Sequence, residues 1–232
     1  MNFSQKYIFS FIIVFILFTP IGTITHELGH LFVAKTLGYE TTLHYSSVNW
    51  NNKLVKNLWS QYERFKIEID NNLDFEGHEQ YKADVKMLNK HSLLICIGGV
   101  TQTIAFGLVA FILLIYRIII KKENFTLFHW LLSFVSLFWL REVFNLISGI
   151  IKGFYLKNNI YFYGDEAKIA RLLELHEGTL LLPLGIIAIL ISLMILKTIP
   201  NRRKKEFVIA GLIGCPIGFI LWVFVIGPII LP

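Results

Sequence analysis

The chain has 232 residues, 55% of them apolar and only 16% charged, with 20 phenylalanines, which lies outside the composition of water-soluble domains. The same balance excludes a disordered chain, and 16 Gly and 6 Pro without a period exclude a collagen-like one. A net charge of +6 does not indicate nucleic acid, because the Lys and Arg residues flank apolar runs instead of covering a polar domain.

Five apolar stretches are long enough, or nearly so, to cross about 30 Å of hydrocarbon as helices. They run from Tyr7 to Thr25, Ser92 to Tyr116, Asn124 to Leu140 with a continuation to Ile151, Gly178 to Leu196, and Phe207 to Pro232. Lys6 precedes a long apolar core with no small-residue cleavage signature, so the first stretch reads as a retained span and not a signal peptide. The chain therefore divides into a first transmembrane helix (1–38), a polar loop (39–90) and transmembrane helices two to five (91–232). Within the loop, Phe65, Ile67 and Ile69 alternate with charged residues, which predicts a small β element over Tyr62–Ile69 at the membrane surface; a plain connecting segment is the alternative. Asn71-Asn72 and Lys157-Asn158-Asn159 read as turns. Cys96 and Cys215 sit in apolar runs as small buried hydrophobes.

The fold class expected is thus an all-α membrane protein of about five transmembrane helices, with a small β element after the first. Short connections carrying Lys6, Arg117, Lys121, Lys122, Lys197 and Arg202 to Lys205 fall on the side of the N-terminus, which the positive-inside rule makes cytoplasmic.

His26-Glu27-Leu28-Gly29-His30 closes the first span as an H-E-x-x-H pattern. Residues four apart share one helix face, so His26 and His30 can direct two imidazole nitrogens at one Zn²⁺, while Glu27, one position round, can act as general base toward a water. Ionisable groups near hydrocarbon are costly unless paired or metal-bound, so a chance coincidence explains the cluster poorly; an ion path or transporter is the non-enzymatic alternative. A zinc hydrolase needs a third ligand. Of four Asp, three lie between Asp70 and Asp84, leaving Asp165 as the one downstream, with Glu142 in the third span as competitor. At 1.5 Å per residue, His26 lies about 13 Å before Lys35, which puts the motif in a layer a little below the non-cytoplasmic surface.

These residues resemble the site-2 protease family of intramembrane zinc metalloproteases. His26-Glu27-Leu28-Gly29-His30 matches the metal motif in full; Gly98-Gly99-Val100-Thr101-Gln102-Thr103 resembles the glycine motif of the following helix; and Asn145 with Gly164-Asp165-Glu166 resembles the Asn and Asp-Gly motifs. The likeness spans about residues 10 to 172. It departs from the family in lacking Pro and Asn after Gly99, in the wide separation of Asn145 from Asp165, and in Glu166 standing where Gly follows the Asp. The resemblance implies Zn²⁺ on His26, His30 and Asp165, with Glu27 as catalytic base and Gln102, Thr103 and Asn145 contacting substrate. It also implies a multi-pass protein of a bacterial cytoplasmic membrane, whose partners are the bilayer and a membrane-anchored protein substrate, not nucleic acid. The family's site commonly faces the cytoplasmic half of the bilayer, whereas the charge count places it toward the outside. A peptidase of protein quality control using Glu142 is the alternative enzyme. The glycines and Asn145 also have plain readings, as close helix packing and an interhelical hydrogen bond.

Overall fold

A computed structural model describes residues 4–155, Phe162 and residues 164–232. Five helices among them are long and apolar enough to span a membrane, and they fit a multi-pass membrane protein. The first, α1 (Gln5–Thr36), continues well past its apolar run, so the H-E-x-x-H residues lie inside it. It stops at Gly38, whose φ of +80° suits glycine, and the N–H groups of Gly38 and Tyr39 donate to the carbonyls of Lys35 and Ala34 at 3.0 Å.

The chain then turns into an antiparallel hairpin, β1 (Glu40–Leu43) and β2 (Val48–Asn51), with Glu40 opposite Asn51 and Leu43 opposite Val48. Tyr39 ties it to the helices: its ring meets Trp50 edge-on at 5.0 Å, and its hydroxyl lies 2.8 Å from His91 Nδ1. The small sheet therefore follows the first helix, but not at the position expected. Residues 62–69 are helical, divided between α2 (Lys53–Arg64) and α3 (Lys66–Asp70). The physical reason lies upstream, where the Asn52 side chain accepts the Val55 N–H at 3.1 Å as an N-cap. From there the less exposed positions 54, 55, 58, 61, 62 and 65 recur at helical spacing, and three alternating apolar residues do not override a helix already started. Asn72, with φ +53°, forms the turn expected there, whereas Lys157-Asn158-Asn159 lies outside the described residues.

The second span is α4 (His78–Ile115), extended by a π turn, Tyr116–Ile120. The third is interrupted: α5 (Leu127–Ser136) gives way to a 3₁₀ turn, Leu137–Trp139, before α6 (Leu140–Tyr155). A short α7 (Asp165–Leu172) precedes α8 (Gly178–Thr198) and α9 (Asn201–Leu221), which runs through a π turn, Trp222–Ile226, into α10 (Gly227–Ile230).

Lipid tails are as apolar as the side chains, so the spans hold together by close packing and not by escape from water. Ala210, Gly214 and Gly218 form a small-residue stripe on α9 against α1; a Cβ on Gly214 would stand 2.7 Å from Phe15 Cβ and 3.0 Å from the Ile12 carbonyl. Beside it, Phe15, Phe134 and Phe207 interlock with ring centroids 5.0 to 5.4 Å apart.

Candidate metal centre

His26 and His30 stand one turn apart on α1, both buried, their rings edge to face. The fold brings α4 unusually close at this level. A Cβ on Gly29 would lie 2.5 Å from the Gly98 carbonyl oxygen, and one on Gly98 2.6 Å from that of Gly29. Gly99 is next to the His30 ring, so any side chain there strikes the imidazole. The glycine pair thus serves helix contact and leaves room for His30.

The outer nitrogens of both rings are held. His30 Nδ1 lies 2.7 Å from the carbonyl oxygen of Ile95 on α4. A carbonyl only accepts, so Nδ1 carries the proton and Nε2 of the neutral ring presents its lone pair. His26 Nδ1 lies 2.8 Å from the hydroxyl of buried Thr103, also on α4. Thr103, expected to contact substrate, is placed as the partner of His26.

Asp165 reaches the same point from the other end of the sequence. Gly164, at φ +102°, makes the turn that starts α7, and Ala167, Ile169 and Ala170 bury one face of that helix, with Ile169 against Cys96 and Val100 of α4. Asp165 Oδ2 then lies 2.8 Å from His26 Nε2 and 3.3 Å from His30 Nε2, while the two nitrogens are 3.0 Å apart. Burial pushes the Asp165 carboxyl up, but the close His26 and His30 rings outweigh it and hold the group well below the usual carboxylate range. Three lone pairs at such distances would repel, so either a ring proton or a metal cation lies among these atoms. The buried His26, Glu27 and His30 group could hold a metal ion, its ligand atoms all within 4.8 Å of one another.

Around this triangle lies a second ring of polar groups. Arg141, in the first turn of α6, donates to Asp165 Oδ2 at 3.2 Å. Asn145, one turn further, donates to Glu166 Oε2 at 3.1 Å, as an interhelical clamp on α7. Burial pushes the Glu166 carboxyl up. Glu142, the competing ligand, makes no hydrogen bond or ion pair with either imidazole among the described residues; it is buried beside Glu166. Gln102 is half-buried on α4, its side chain starting against Gly29. The sequence reading missed Arg141 and Glu166, although a cation inside an apolar span was itself a signal. The chain matches no known protein family, no curated protein and no solved structure.

Proposed function

We propose that this chain is a zinc-dependent intramembrane protease that hydrolyses membrane-anchored proteins within or beside their transmembrane segments. The observation that carries the reading is the convergence of His26 Nε2, His30 Nε2 and Asp165 Oδ2, with edges of 2.8, 3.0 and 3.3 Å. A tetrahedral zinc with ligands at about 2.0–2.2 Å has ligand–ligand edges of roughly 3.3 Å, so the triangle fits that ion after slight expansion. The donor set agrees, since three protein ligands leave a position open, as catalytic zinc requires. When bound, Zn²⁺ supplies a Lewis acid that lowers the pKa of a water toward about 7 and polarises a peptide carbonyl.

The chain's own residues do the rest. Thr103 holds the His26 ring in orientation, and the Ile95 carbonyl fixes both the orientation and the tautomer of His30. Glu27, buried beside both rings, takes a proton from the attacking water and later delivers it to the leaving amine. A helical substrate hides its amides in hydrogen bonds, so it must be unwound locally; the β1–β2 hairpin has no third strand among the described residues, and its outer edge is the proposed seat of the extended segment. The proposed setting is the cytoplasmic membrane of a bacterium, with the N-terminus on the cytoplasmic side.

The test compares wild type with Glu27→Gln, measuring bound zinc and cleavage of a fluorogenic single-span peptide in micelles. Both proteins should hold one zinc per chain, and the variant should lose about 10²–10⁴-fold in kcat, the contribution of a positioned base. Wild-type protein without stoichiometric metal contradicts the reading. Separate Asp165→Ala and Glu142→Ala variants decide between the two third ligands: only the first should release zinc.

A further inference from the structure

We propose that Arg141 is a second catalytic group of this site, the electrophile that receives the charge developing on the substrate's carbonyl oxygen while Glu27 handles the proton. The inference rests on the hydrolase reading above. The 3₁₀ turn Leu137–Trp139 interrupts the third span and places Arg141 in the first turn of α6, beside Asp165. A guanidinium at this depth is costly unless it is used.

Its use by the protein is incomplete. One terminal nitrogen donates to Asp165 Oδ2, the oxygen on which both imidazoles converge, so the guanidinium borders the metal triangle. Its Nε is buried and has no hydrogen-bond partner among the described residues, while the side chain as a whole keeps 30% of its surface open. A guanidinium carries five donors in a fixed fork, and a buried donor left unpaired in a native fold calls for an explanation. A cation with spare donors, anchored through one nitrogen beside a candidate zinc and an acid base, is what stabilises a forming oxyanion. It is always charged and already oriented, so it reorganises little during reaction.

A merely structural Arg141 would hold Asp165 and nothing more, and the two roles separate experimentally. Arg141→Gln and Arg141→Lys are compared with wild type for zinc stoichiometry, for kcat and KM on the fluorogenic single-span peptide, and for inhibition by a phosphinic peptide, a tetrahedral anionic analogue of the transition state. Arg141→Gln should keep its zinc and a near-normal KM while kcat falls about 10²–10³-fold, with phosphinic inhibition weakened by a similar factor. Arg141→Lys should recover part of both losses. An unchanged kcat in Arg141→Gln, or loss of zinc in step with activity, overturns the proposal. Wild-type protein that holds zinc but leaves the peptide intact overturns the hydrolase reading itself, a result distinguishable from either of these.

Discussion

Thr103 is buried at the contact of α1 with α4, and its hydroxyl meets His26 Nδ1 at 2.8 Å. Replacing it by Val keeps the volume but removes the group that orients the ring. Zinc affinity should then fall by about 10–100-fold, the usual effect of losing an outer partner of a metal-bound histidine, as read by competition with a chelator. At this scale the sequence was informative where chemistry is local. His26, Glu27 and His30 declare themselves because one helix face is written as a spacing of four. Asp165 was reachable as one of two candidates, since three of the four Asp lie in the polar loop, with Glu142 left as its competitor. The parts played by Thr103, Arg141 and Glu166 were not legible, because each depends on contacts between helices far apart in sequence. Thr103 stands 77 positions from His26, and Arg141 stands 24 from Asp165.

Elements show the same division between local and distant causes. The five spans are legible from hydropathy alone, which needs no knowledge of partners. The hairpin is not: its strands are four residues each and lack a long alternating run, so their pairing depends on Gly38, on Tyr39 against Trp50, and on the other end of the chain. There the Tyr45 N–H donates to the Leu231 carbonyl at 3.0 Å, and the indole N–H of Trp222 donates to the Tyr45 carbonyl at 2.8 Å. The helical state of 53–64 turns on its cap. Asn52→Ala should destabilise α2 by about 1 kcal/mol, visible as faster amide exchange over 53–64 with zinc binding unchanged. At the α1–α4 contact, Gly99→Val should displace the His30 ring and cost both zinc and activity, because the added atoms meet an imidazole that is itself locked to Ile95.

Across the whole molecule, the last span is a brace for the first. The Ala210, Gly214 and Gly218 stripe and the phenylalanine cluster clamp the half of α1 that precedes the metal motif, while α4 and α7 close around the motif. Gly214→Leu should therefore lower the thermal midpoint in detergent by an amount equivalent to about 1–3 kcal/mol, and leave the proposed zinc ligands of the folded fraction unchanged. The long sequence interval between the histidines and Asp165 is what makes the site a property of the assembled bundle and not of one helix. X-ray absorption at the zinc edge, on purified wild type and Asp165→Ala, tests that claim most directly. The wild type should show one zinc per chain with two imidazole nitrogens and a carboxylate oxygen at about 2.0–2.2 Å, and the variant should lose the metal or the carboxylate. Absence of zinc from the wild type, or a coordination shell that Asp165→Ala leaves untouched, would contradict the account.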